Sequence, residues 1–183
     1  QLMAANVYFL QNTGYFEGPA DLMPMLHTWS LAVEEQFYLL FPFALLWLGR
    51  LSRRRAGAVL AAVAVVSLAM SEWGARVHPG AAFYLLPFRA WELLLGGLLW
   101  YVPTGLARCR YAMQFVAILG TVAVVASAML FNSGTRFPGM TALIPCAGAA
   151  AVIYANSQQL TIVGRVLALR PVIKGVFDVS VED

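Results

Sequence analysis

The chain has 183 residues, 61% of them hydrophobic and only 11% charged, with a mean hydropathy of +0.73 and a net charge of +3. Soluble domains carry about 25% charged residues, so the charge deficit excludes an ordinary soluble fold. It predicts an all-α, polytopic transmembrane helix bundle, counted in spans of about 20 residues.

The chain opens on apolar residues with no basic leader region and no cleavage site, which argues against a signal peptide and for a segment of a longer membrane protein. Residues 2–10 are too short to cross a bilayer and are expected to be the outer end of a partial span. Residues 11–23 form a polar loop punctuated by Gly14, Gly18 and Pro19. Asp21 is placed to cap the next helix, with Pro24 in its first turn. The main helix is predicted over residues 25–48, about 36 Å at 1.5 Å per residue. Trp29 marks one interface and Pro42 a kink. It ends at Arg50, Arg53, Arg54 and Arg55, a basic loop that the positive-inside rule places in the cytoplasm. Residues 56–71 are uncharged and just short of a full span. Residues 72–82 are expected to be an outer loop. Residues 83–101 return inward, carrying Arg89, Trp91 and Glu92, and lead to a loop with Arg108 and Arg110. Residues 111–131 form a clean span. Residues 140–154 return after a short turn, with a kink at Pro145, and Arg165, Arg170 and Lys174 follow. Nine of the twelve basic residues then lie on one side, leaving Arg76, Arg89 and Arg136 on the other. The count is five full spans plus a partial N-terminal one. The basic balance therefore serves topology and argues against nucleic acid as a partner. Cys109 and Cys146 fit no disulfide or metal spacing, and no metal site or bound cofactor is expected.

Three stretches hold the polar groups. The first is HTWSLAVEEQFYLLFP, residues 27–42. A carboxylate at mid-membrane costs about 2.5–3.5 kcal/mol, so Glu34 and Glu35 call for compensation. His27, Ser30 and Glu34 share one helix face, and Leu31, Glu35 and Tyr38 form the neighbouring stripe. Imidazole, hydroxyl and carboxylate together can pass protons or hold a sugar hydroxyl. His27 and Trp29 would equally serve as interface anchors, and the glutamates as ties between helices. The second stretch contains Arg89, Trp91 and Glu92, with Arg89 and Glu92 as i,i+3 partners. Arg89 facing Glu34 and Glu35 across a helix interface would offset their burial, and Gly96–Gly97 would allow close helix approach. The third, RFPGMTALIP at residues 136–145, is explained by a Pro-Gly turn at the start of a helix.

Together these stretches resemble the acyltransferase-3 family of integral membrane O-acyltransferases. Residues 27–42 look like its most recognisable motif. FYLLPFRAWELLLGG at residues 83–97 is similar to a later one, and residues 136–150 and 163–171 to segments that follow. The resemblance covers residues 1–171 as the central part of such a domain; the tail at residues 172–183 departs from it. It implies transfer of an acyl group, commonly acetyl, from acyl-CoA as co-substrate to a hydroxyl of a cell-surface glycan, by a multi-pass protein of the bacterial inner membrane. His27, Glu34 and Glu35 are carried over as catalytic candidates, and Trp29, Ser30, Arg89, Trp91 and Glu92 as substrate-binding candidates. The family's first membrane helix bears an Arg and a His central to catalysis, and some members add a C-terminal SGNH-type domain. Neither is expected in this chain, which is therefore expected to be inactive alone. The same buried charges would also suit a transporter or lipid-linked-sugar translocator, or a non-catalytic membrane remnant.

Overall fold

The structure, a computed structural model, describes residues 5–12, 28–103, 110–132 and 138–169. Among these the chain is helical and carries five stretches long and apolar enough to cross a membrane, in agreement with the five spans expected. A short helix, α1 (Ala5–Asn12), stands where the partial span is expected. The chain divides into two units, Gln1–Tyr101 with Ser133–Ala142, and Val102–Asn132 with Leu143–Asp183.

In the first unit, α2 (Thr28–Leu48) continues through Pro42 to its end. Helix α3 (Arg53–Val77) runs six residues past the point where the sequence suggested an outer loop. The extension follows from an i,i+4 ion pair: Arg76 Nη2 lies 2.6 Å from Glu72 Oε1, with the acid N-terminal to the base, the favoured order. The remaining apolar stretch is two helices, α4 (Pro79–Tyr84) and α5 (Leu86–Leu99), separated by an extended Leu85. Pro79 begins α4, where a missing N–H is harmless. Pro87 lacks the N–H that would have bonded back to Phe83, so one continuous helix is interrupted there.

Helices α3 and α5 lie antiparallel along a seam of Gly57, Leu60, Ala64, Ser67, Ser71 and Gly74, spaced alternately three and four residues apart. Such spacing keeps one stripe facing one partner, and small side chains let the backbones approach when lipid offers no hydrophobic contrast. At Gly74 a Cβ would fall 2.7 Å from the Phe88 ring. Ser67 donates to the Pro87 carbonyl at 2.6 Å and accepts from the Trp91 N–H at 3.1 Å. Its hydroxyl thus bridges both ends of one i→i−4 step of α5. Helix α1 is tied in by Asn6, fully buried, which donates to the Tyr84 carbonyl at 3.0 Å and accepts from Gln36 at 3.0 Å.

The second unit pairs α6 (Arg110–Leu130) with α7 (Leu143–Gln158), with a short α8 (Ile162–Leu167) after them. Gly120 and Gly148 allow backbone contact: a Cβ on Gly148 would meet the Gly120 carbonyl at 2.7 Å. Met113, Ala117 and Ala155 form the adjoining core. Asn156 Oδ1 accepts from the Thr161 hydroxyl at 2.9 Å, closing the turn into α8. Pro145 falls in the first turn of α7, where its missing N–H has no intrahelical partner to lose, so no kink is needed there. Cys146 is half-buried, while Cys109 lies outside the described residues.

Two stability outcomes follow from these seams. Gly148→Leu forces a side chain into the α6–α7 contact and should destabilise by about 1–3 kcal/mol, whereas Gly96→Ala, at a site with no atom within 4 Å, should be neutral or gain up to about 1 kcal/mol. Thermal denaturation in detergent distinguishes them; equal shifts would contradict the close-contact assignment. Ser67→Ala, which leaves a carbonyl and an N–H of α5 short of a partner, should cost about 1 kcal/mol, read as a lower unfolding midpoint in the same assay.

Candidate functional site

The polar groups of the first unit gather where the start of α5 meets the start of α2. Arg89 Nη2 lies 2.8 Å from Glu92 Oε2, and both side chains are more than four-fifths buried. The i,i+3 spacing on one helix makes this pairing local. The guanidinium carbon stands 5.1 Å from the centroid of the Trp29 ring and 5.9 Å from that of Phe83. Trp29 in turn packs against Phe83 at 4.4 Å and edge-on against Tyr84 at 5.5 Å. Arg89 is therefore held by a carboxylate and by the faces of two aromatic rings.

Three buried polar atoms near this part of the α3–α5 seam have no hydrogen-bond partner among the described residues: Ser71 Oγ, Trp91 Nε1 and Glu92 Oε1. Trp91 is 1% exposed and Ser71 fully buried. Buried polar atoms are nearly always satisfied, so these three are exceptions among the described residues, and one oxygen of Glu92 is among them. Glu92 Oε2 is already occupied by Arg89.

The expected pairing of Arg89 with Glu34 or Glu35 is corrected. What α2 brings to Arg89 is Trp29, and the carboxylate comes from Glu92. The reason is helical phase. At 100° per residue, Glu34 lies about 140° and Glu35 about 120° around the helix from Trp29. The buried side of α2 is set by Ala32, Val33 and Phe37, leaving Glu34 exposed and Glu35 half-buried, with no ion pair from either among the described residues. Gln36 lies within about 20° of Trp29 and bonds Asn6. Ser30 is half-buried. His27 lies outside the described residues. Trp29, Trp91, Arg89 and Glu92 are thus brought to one end of the unit, while Glu34 is turned away from it.

Asn6, Gln36, Ser67 and Ser71 were not singled out from sequence. Their signal was present: an amide or hydroxyl inside an apolar span needs a partner. Among the described residues no group of three or more His, Cys, Asp or Glu could hold a metal ion.

No family model matches the chain, and no solved structure matches it. Among curated proteins, it is 33% identical over 168 residues to an "Uncharacterized protein" of Haemophilus influenzae, covering 85% of this chain and 68% of that one. It is 30% identical over 149 residues to the "Putative membrane-bound transacylase BcsY" of Komagataeibacter xylinus, and 27% identical over 158 residues to the "Putative peptidoglycan O-acetyltransferase YrhL" of Bacillus subtilis. These alignments cover 81% and 75% of this chain but only 38% and 25% of the two relatives. The chain is therefore a multi-pass membrane protein that belongs to one family with the Haemophilus influenzae protein and is related to proteins named as a putative membrane-bound transacylase and a putative peptidoglycan O-acetyltransferase.

Proposed function

We propose that this chain is part of a membrane O-acyltransferase of the acyltransferase-3 type. It would move an acyl group, most simply acetyl, from acyl-CoA to a hydroxyl of a cell-surface glycan at the bacterial inner membrane. The observation that carries this reading is the buried, partnerless Oε1 of Glu92 beside a fixed Arg89. The names of the relatives support the reaction class.

The acceptor hydroxyl donates to Glu92 Oε1, which orients it and draws its proton as the oxygen attacks the thioester carbonyl. The new C–O bond forms, the C–S bond breaks, and the proton ends on the departing CoA thiol. Arg89 stays charged between Glu92 and Trp29 and stabilises negative charge on the carbonyl oxygen or on the acceptor. Trp29 and Trp91 frame the acceptor. Exposed Arg50, Arg54 and Arg55 at the opposite end of the helices attract CoA phosphates. Of the carboxylates, Glu92 suits the chemical role better than Glu34 or Glu35, because its free oxygen is sheltered. His27 is retained as the imidazole that would share the proton.

The test uses the complete natural protein in membrane vesicles, with labelled acetyl-CoA and its glycan fraction. Glu92→Gln should lower transfer by about 10²–10⁴-fold at unchanged protein level, and Glu34→Gln should lower it far less. Wild-type transfer by Glu92→Gln would remove that residue from the mechanism.

A further inference from the structure

We propose that Ser67 and Asn6 are positioning residues for the Arg89–Glu92 site: from two other helices they hold open the break between α4 and α5, and through it they set where the guanidinium and the carboxylate stand. The kinetic consequence rests on the acyltransferase reading; the placement itself does not. The break lies at Leu85, whose backbone is extended at φ −99° and ψ 136°. In a continuous helix the Tyr84 carbonyl takes the Phe88 N–H, but that N–H turns to the Leu85 carbonyl at 3.2 Å. Asn6, fully buried, supplies a donor to the Tyr84 carbonyl at 3.0 Å and is itself fixed by Gln36 at 3.0 Å. On the other side of the break, the Pro87 carbonyl accepts from the Ser67 hydroxyl at 2.6 Å, and the Trp91 N–H donates to the same oxygen at 3.1 Å. Ser67 is 5% exposed. A side chain inserted into the i→i−4 ladder bends a helix at that point.

Both clamps act on the groups of the site. Arg89 is the middle residue of the turn from Pro87 to Trp91, and it projects about 180° around α5 from the two residues that Ser67 grips. Glu92 follows Trp91 directly. Without the Ser67 hydroxyl, the Pro87 carbonyl and the Trp91 N–H are left to seek each other, and closing that turn moves Arg89 and Glu92 together. The break also makes the aromatic seat. On one unbroken helix, Phe83 and Arg89 stand about 9 Å apart along the axis and about 120° apart around it. Here α4 is redirected at Leu85, and the guanidinium carbon lies 5.9 Å from the Phe83 ring centroid, with Trp29 packed on that ring at 4.4 Å. Asn6 holds the α4 end of this arrangement, one residue after Phe83.

Two measurements on the complete natural protein test this. In transfer assays normalised to folded protein, Ser67→Ala should lower kcat by about 10–100-fold, the loss that a displaced reactive group brings. The KM for acetyl-CoA should stay unchanged, and Asn6→Leu should act in the same direction. In a Glu92→Gln background, Ser67→Ala should cost far less, because it acts through the group already lost. The second measurement needs no reaction: in detergent unfolding, the coupling between Trp29→Leu and Arg89→Met should shrink when Ser67→Ala is added. Full coupling retained in Ser67→Ala, or unchanged kcat in Ser67→Ala where Glu92→Gln is impaired, would overturn the assignment. If Glu92→Gln itself transfers at the wild-type rate, the acyltransferase role of that residue falls, and the coupling alone decides the placement.

Discussion

A guanidinium inside an apolar bundle has to be matched, and the matching of Arg89 organises the first unit. Glu92 supplies the charge, and Trp29 and Phe83 supply two ring faces. Because Trp29 sits on α2 and Phe83 on α4, satisfying one cation joins three helices. Hydrophobic contrast cannot do this work between helices in lipid, where tails are as apolar as leucine. Polar contacts and close backbone approach must supply the specificity, and both are present: the Ser67 bridge into α5 and the glycine contacts at Gly74 and Gly148.

The same constraint explains the polar atoms that remain. A bundle that ties Asn6 to Gln36 and Tyr84, and inserts Ser67 into the first turn of α5, is one that can satisfy its buried groups. Against that background the free Oε1 of Glu92 and the indole N–H of Trp91 are exceptions of the kind that accompany binding sites. The second unit shows the contrast. There Gln114, Asn156 and Thr161 close a turn, and among the described residues of that unit no buried polar side-chain atom lacks a partner.

Much of this was legible in the sequence, and the misses have physical causes. The charge deficit gave the fold class, and the apolar runs located the spans. The i,i+3 relation of Arg89 and Glu92 was visible as spacing. Glu72 to Val77 reads as loop from its charge and length alone, whereas the i,i+4 pairing of Glu72 with Arg76 supports helix there. The partner of Arg89 is not legible in the sequence, because composition says which groups need matching, while helical phase decides which ones meet. A run such as LAVEEQF offers Glu34, Glu35 and Gln36 almost equally, and only the buried line of Ala32, Val33 and Phe37 selects Gln36. The seam of α3 is hidden for another reason: in a stretch rich in Ala, Val and Gly, small residues at three-and-four spacing do not stand out.

The joint between α2 and α5 is tested most directly by a double-mutant cycle on Trp29 and Arg89, with Trp29→Leu, Arg89→Met and the pair compared by unfolding in detergent. The cation over the ring predicts a coupling of about 0.5–2 kcal/mol, the range for a guanidinium on an indole face from exposed to desolvated. Strictly additive losses would mean that the two side chains do not meet, and the assignment of the site to this end of the unit would fall.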